Sequence, residues 1–277
     1  MKNTLWLLLL LGAGLALFSS QKESGSCSDC GPLPDISNLA ALGPGSSTMK
    51  LPYPAPPAPE DWQKLTAEER LAHVKNRVQK PLATELEKKG LKLGAPAFLR
   101  IFKESDEMEL WLQEGRQWKL FRTYPIAAMS GDLGPKMKEG DGQAPEGFYA
   151  VTKAGLNPKS TFHLSFNIGY PNDYDRHHGR TGSFIMVHGN EVSIGCFAMT
   201  DPVIEEIYLV VEAALNEGQA EVPVHSFPFR MTGERLTEAA DHPAASFWKE
   251  LLPVYLAFQP DKPLPQVYHR AGQYRLH

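Results

Sequence analysis

Residues 21–60 are dominated by proline, serine, glycine and alanine, and this confines any packed core to the chain beyond residue 60. Residues 53–59 read YPAPPAP. Such a run forms a stiff polyproline-like spacer with few backbone donors to offer a helix or sheet. Ahead of it, Lys2 precedes a stretch at 5–18 that is almost entirely apolar. One positive charge followed by a ~14-residue apolar core has the form of a secretory signal peptide, and it falls short of the ~20 residues that cross a bilayer. The reading is a signal peptide at 1–20, a linker at 21–60 and an exported protein. An uncleaved anchor and a lipidated Cys27 are the alternatives, although Ser24-Gly25-Ser26 lacks the aliphatic residue of a lipobox. About 215 of the 277 residues then remain, enough for one domain with a substantial core.

Lys plus Arg number 28 and Asp plus Glu 32, a formal charge of −4. That near balance argues against nucleic acid as a partner, because phosphate binding needs a basic excess. The cysteines are three: Cys27, Cys30 and Cys196. An odd number leaves at least one thiol outside any internal disulfide. Cys27-Ser28-Asp29-Cys30 reads as a redox motif, half of a zinc site or an oxidised local pair. Zinc would need a second ligand pair, and a redox CxxC opens a helix after a strand. The local pair suits a linker better.

Within the folded part, Trp62, Leu65, Leu71, Val74, Val78, Leu82 and Leu86 recur at helical spacing. A helix is predicted over 61–89, capped by Asp61 and bent or broken at Pro81. Strands are predicted at 97–103, 109–113, 117–126, 148–151, 162–166, 183–188 and 224–230. Asp201-Pro202 marks a helix start, with Asp201 as the cap, and a second helix is predicted at 245–258. The last twenty residues are polar and interrupted by proline. The expected fold class is mainly β with packed helices (α+β). The divisions are a helical N-terminal extension at 61–95, a catalytic domain at 96–231 and a helical C-terminal extension at 232–277.

Chemistry concentrates at residues 184–196, FIMVHGNEVSIGC. An apolar strand ends at His188, and a short loop returns to Gly195-Cys196. Thiol catalysis needs a base beside the sulfur, and His188 lies eight residues upstream. The N–H groups of Gly195 and Cys196 are candidate oxyanion donors. The plainer reading makes Cys196 a small buried hydrophobe and His188 a core residue. An unpaired thiol in an exported protein, placed in this frame, favours chemistry. His177 and His178, beside Asp173 and Asp175, read as a structural or substrate loop and not as a metal cluster. Lys136 and Asp141 sit in a turn-rich stretch at 131–147 that lacks a phosphate-binding pattern.

The frame ending in Ser193-Ile194-Gly195-Cys196 resembles the YkuD-type L,D-transpeptidases, cysteine enzymes that remodel peptidoglycan. Residues 188–201, the IEEIY run at 204–208, the stretch at 134–149 and residues 164–176 resemble the YafK-like branch. The resemblance spans roughly 95–275. It implies a YkuD-like β-sandwich or barrel, Cys196 as nucleophile, His188 as general base and a backbone carbonyl near Gly189 as the third partner. It further implies no cofactor and no metal. The partners it implies are peptidoglycan stem peptides and an envelope lipoprotein linked to them, and the place of work is the periplasm or cell envelope. A monomer is expected. Two positions depart from the pattern. Ile194 replaces the hallmark histidine before Gly-Cys, and Phe197 replaces an arginine that comes after the cysteine in many relatives. Arg176, Arg180 and Arg230 become the candidates for a substrate carboxylate. The competing function is a catalytically silent peptidoglycan-binding module. A papain-like protease fits poorly, because there the cysteine precedes the histidine.

Overall fold

The computed structural model describes Leu51 and residues 59–277. The expected leader, nearly all of the linker, and Cys27 and Cys30 lie outside the described residues.

The N-terminal helix is built differently from the expectation. Asp61 makes no capping bond and precedes only a short 3-10 turn, Trp62–Lys64. The α-helix α1 (Ala67–Val74) starts one turn later, where Thr66 and Glu69 form a reciprocal capping box. Pro81 does not break the helix. It sits in the first turn of α2 (Lys80–Lys88), directly after a π-helical turn at Lys75–Gln79. That wider turn absorbs the missing N–H and the ring clash which proline imposes on the preceding turn.

The main sheet has the strand order β3-β2-β1-β9-β4. Its members are β1 (Ala97–Phe102), β2 (Glu107–Glu114), β3 (Gln117–Pro125), β4 (Gly147–Val151) and β9 (Val222–Phe227). Strands β1 and β9 run parallel and the other pairs antiparallel. All six residues of β1 are buried, because the sheet is covered on both faces. Ala97, Leu99 and Ile101 join one apolar core, while Phe102 joins a second, largely aromatic one. Strand β9 repeats the division, with Val222 and Val224 in the first core and Phe227 in the second. This two-sided burial explains why these strands read as nearly continuous apolar runs.

The first core is centred on α4 (Asp201–Asn216), whose side chains from Val203 to Glu212 are all buried. Its three buried glutamates are paired. Glu205 meets Arg77, Glu206 takes Tyr124 at 2.6 Å and Arg122 at 3.0 Å, and Glu212 takes Lys75 at 2.8 Å. Asp201 is the first helical residue, and Thr200 is the cap position. The carboxylate of Asp201 instead accepts from the Asn190 N–H at 2.8 Å, so it is spent on the neighbouring loop.

A second sheet, β5-β6-β7-β8, completes the domain. It comprises β5 (Leu156–Asn157), β6 (Ser165–Asn167), β7 (Met186–His188) and β8 (Phe197–Ala198). The two sheets are linked through Ile168, which accepts from Ala150 at 3.0 Å and donates to Ile185 at 3.1 Å. The short α3 (Asp173–His177), α5 (Gly233–Glu238) and α6 (Ala245–Ala257) lie around them. The polar tail forms a hairpin, β10 (Val267–Arg270) with β11 (Gln273–Leu276). It is anchored by Tyr274, stacked on Tyr174 at 4.1 Å. The architecture is α+β, with mixed sheets and packed helices.

Between the sheets runs the glycine-rich stretch 131–147, and it is pinned from below. The buried ammonium of Lys103 faces the carbonyls of Asp132, Gly134 and Ala144 at 2.8, 2.9 and 3.0 Å. It also pairs with Glu146 at 3.1 Å. Glu146 accepts in turn from the Gly134 N–H at 2.6 Å and from the Trp248 indole at 2.7 Å. Lys103→Met should cost about 3–5 kcal/mol, because it strands a buried carboxylate; chemical denaturation checks this. A second expectation concerns His225, enclosed by Phe98 and Phe148 at 4.7 and 4.8 Å. Burial, helped by the Arg100 charge, pushes its pKa down to about 3. The unfolded chain takes up this proton near pH ~6.5, so stability should fall as pH drops from there toward 3. Thermal unfolding of His225→Leu against pH should show a flatter acid limb, and an unchanged limb would contradict the assignment.

Candidate active site

His188 ends β7 and Cys196 immediately precedes β8. These strands are parallel neighbours, with Val187 opposite Phe197 and His188 opposite Ala198. Cys196 and Ala198 are two residues apart, so their side chains share the face that His188 uses. The histidine and the thiol are therefore diagonal neighbours on one face, within reach of a side chain as long as histidine. Among the described residues Cys196 is a free cysteine, and it is partly exposed.

The imidazole is held by a backbone carbonyl. His188 Nδ1 lies 2.6 Å from the Gly189 oxygen. A carbonyl only accepts, so Nδ1 carries the hydrogen and Nε2 presents its lone pair. Gly189 is itself clamped, its N–H donating to the Phe162 and Leu164 carbonyls at 3.1 Å each. A side chain at this position would meet the Asp201 carboxylate at 2.5 Å, so only glycine fits. The Phe162 ring covers the imidazole at a centroid distance of 4.9 Å.

Burial pushes the His188 pKa down, against the opposing effects of the Gly189 carbonyl and the Asp201 charge. Burial likewise pushes the Cys196 thiol up, partly offset by the Met186 N–H and the Lys136 charge. The Met186 N–H points at Sγ from 3.4 Å, and Sγ lies 3.7 Å from the Phe184 carbonyl. At rest the thiol and the imidazole are thus both neutral. Such a pair can pass a proton from sulfur to Nε2 as the sulfur attacks.

Gly195, expected as an oxyanion donor, is engaged within the chain in this geometry. Its N–H donates to Ser130 Oγ at 2.6 Å, and Ser130 Oγ donates to the Gly142 carbonyl at 2.5 Å. The backbone of Gly195 is left-handed, at φ +85°, which turns its N–H toward Ser130 and suits glycine alone. The N–H of Cys196 lies outside the β7–β8 ladder and outside this anchor. Ile194, at the position of the hallmark histidine, is 55% exposed, so it makes no contact that could replace an imidazole.

The three arginines expected to bind a carboxylate each pair with acidic side chains of this chain. Arg180 is buried against Asp175 at 2.8 Å and lies over the Phe247 ring at 4.6 Å. Arg230 is held by Glu107 at 2.9 Å and Glu109 at 2.8 Å. Arg176 pairs with Asp173 at 2.8 Å and with the Pro171 carbonyl. Each guanidinium already serves a carboxylate of this chain. The histidine pair has a structural place, because His178 Nε2 meets the Gly272 carbonyl at 2.9 Å and the His177 ring packs near His269 at 4.9 Å. Among the described residues no cluster of histidine, cysteine or acidic side chains is arranged to hold a metal.

Lys136 and Asp141 organise the glycine-rich loop beside the thiol. Their ion pair measures 2.6 Å. Although partial burial opposes it, Lys136 and the N–H groups of Lys138, Met137 and Gln143 hold the Asp141 carboxyl down to about 2. The same loop carries Gly142 to Ser130. Ser130→Ala should leave the Gly195 N–H unanchored and cost about 1 kcal/mol. Thermal unfolding checks the stability, and the rate of Cys196 alkylation should fall with it. An unchanged rate would mean that Ser130 does not set the position of the thiol.

Residues 100–225, which include both His188 and Cys196, match the YkuD family, described as the L,D-transpeptidase catalytic domain. Over 182 residues the chain is 42% identical to YafK of Escherichia coli (strain K12), a protein named provisionally as an L,D-transpeptidase. That alignment covers 66% of this chain and 74% of the relative. Among solved structures, the helical cell shape determining protein Pgp2 of Campylobacter jejuni aligns at 20% identity and a TM-score of 0.40, over 64% of this chain and 63% of its own. Bd1075 of Bdellovibrio bacteriovorus aligns at 24% identity and a TM-score of 0.37, over 49% and 48%. Its family match and its identity to YafK place this chain in the YkuD family of L,D-transpeptidases.

Proposed function

We propose that the chain is a cysteine acyltransferase acting on peptidoglycan stem peptides, with Cys196 as nucleophile and His188 as general base. The observation that carries this reading is the orientation of His188. Its Nδ1 is spent on the Gly189 carbonyl at 2.6 Å, which leaves Nε2 as the unprotonated nitrogen, and Cys196 immediately precedes the strand that runs parallel beside that of His188. Sγ attacks the carbonyl carbon at the L-centre of diaminopimelate, and the thiol proton passes to Nε2. The tetrahedral intermediate collapses, the amine departs with the proton from His188, and a thioester remains on Cys196. An acceptor amine yields a crosslink or an anchored protein, and water yields hydrolysis. The Cys196 N–H is the oxyanion donor that this loop offers, because Ser130 occupies the Gly195 N–H.

The same chemistry sets the remaining assignments. The catalytic domain is assigned to 96–231, flanked by the extensions at 61–95 and 232–277. The protein is exported to the periplasm or cell envelope, and an envelope lipoprotein bound to peptidoglycan is a second substrate. No helix among the described residues is long and apolar enough to cross a membrane.

Purified protein incubated with tetrapeptide muropeptides, and separately with lipoprotein-linked muropeptides, should give products that differ by loss or exchange of the amine, read by mass spectrometry. Cys196→Ala should lower turnover by at least about a thousandfold with an unchanged circular dichroism spectrum. Turnover retained in that variant would end the proposal. So would muropeptide binding by wild-type protein without any turnover, the behaviour of a silent binding module.

A further inference from the structure

The geometry points to His163 as a positioning residue that acts on His188 through Gly189, and it makes the N-terminal helical segment part of that device. This rests on the reading of Cys196 and His188 as nucleophile and base. The clamp on the Gly189 N–H is made by the carbonyls of residues 162 and 164, at 3.1 Å each. Two carbonyls separated by one residue converge on a single N–H only if the residue between them turns sharply. That residue is His163, in the left-handed region at φ +67°. This conformation is uncommon for any residue with a side chain, and here the surroundings hold it.

The enforcement is visible. The buried His163 ring stacks on Trp62 at 4.3 Å with an interplanar angle of 20°. Its Nε2 lies 2.7 Å from Glu205 of α4, and Glu205 is also paired with Arg77. Its Nδ1 faces the Asp201 carboxylate at 3.8 Å. The buried Arg70 guanidinium donates to the Ser160 carbonyl at 2.7 Å and reaches the His163 carbonyl at 3.4 Å. Around the loop, Asp201 holds the Asn190 N–H at 2.8 Å. An ideal Cβ on Gly189 would meet His163 Cβ at 2.9 Å, so the two residues pack closely. His163 is thus fixed from one side by Trp62, Arg70 and Arg77 and from the other by α4. It passes that rigidity through two carbonyls to Gly189, whose own carbonyl sets the His188 tautomer and direction. A reacting side chain displaced by about 1 Å can lose about 100-fold in rate.

The test is alkylation of Cys196 by iodoacetamide, which needs no peptidoglycan. The S–C bond forms, iodide leaves, and the thiol proton passes to His188. Four proteins are compared, each as the full chain: wild type, His163→Ala, His163→Gln and His188→Ala. Below the thiol pKa, His163→Ala should react up to about 100-fold more slowly than wild type and approach His188→Ala. The gap should close as pH rises and the thiolate forms without a base. His163→Gln, whose amide can still donate to Glu205, should recover part of the rate. Circular dichroism reports whether each variant folds. If His163→Ala does not, Glu205→Gln, which keeps the shape of the pair, replaces it in the same assay, with the same slowing expected. A folded His163→Ala, or Glu205→Gln in its place, that alkylates with the wild-type rate and pH profile would overturn the positioning role. Wild-type protein that shows the base-assisted profile but never turns over muropeptides would overturn the proposed substrate and leave the positioning role standing.

Discussion

Lys103 carries its ammonium group into a space closed to water, where it finds three backbone carbonyls and the carboxylate of Glu146. The cost of burying that charge is met by the number of acceptors placed around it. The acceptors belong to both ends of the glycine-rich stretch at 131–147, so one cation closes the loop at its base. Trp248 of α6 completes the arrangement through Glu146, which ties the C-terminal helix to the same point. From this base the loop reaches across to the second sheet. Its middle is ordered by Asp141, its carbonyl at Gly142 receives Ser130, and Ser130 receives the Gly195 N–H. The thiol is therefore located by a chain of contacts that begins in the main sheet.

Helix α4 performs the equivalent task for His188. It is buried nearly all round, which its sequence announces in an apolar run, yet it carries three glutamates. Each is matched to a partner from another element, so the helix distributes fixed charge to its surroundings. The first turn reaches the loop after β7 through Asp201, and Glu205 reaches His163 and Arg77. Cys196 and His188 are thus positioned from different layers of the fold, at the ends of two short strands that run side by side.

The parts of this arrangement that were legible in the sequence are those carried by neighbouring residues. His188 and Cys196 are close in the chain, and the strand and turn chemistry between them is local. The helices at 201–216 and 245–257 and the strands of the main sheet are expected from periodicity and apolar runs. Contacts made across long separations were not legible. Ser130 lies 65 residues from Gly195, and His163 lies 42 from Glu205. Nothing in a local pattern distinguishes that serine or that histidine from its neighbours. The partners of the arginines were hidden for the same reason. A guanidinium in a sequence does not reveal whether a carboxylate already faces it, and those facing Arg230 come from 121 and 123 residues away. The C-terminal hairpin was hidden by its polar surface, since its hold on the domain comes from a tyrosine stack and from contacts with His177 and His178.

Strands β7 and β8 are parallel and adjacent, yet only residues 189–196 join them. Parallel neighbours are ordinarily joined by a crossover of a dozen or more residues, commonly through a helix. Here the connection is so short that it acts as a ruler. Removing or adding one residue would shift β8 by a single step and turn Cys196 to the opposite side of the sheet. The loop can therefore change its composition freely at exposed positions such as Glu191 and Ile194, but not its length. In this protein the number of residues between His188 and Cys196 is itself a structural quantity, fixed by the register of two adjacent parallel strands.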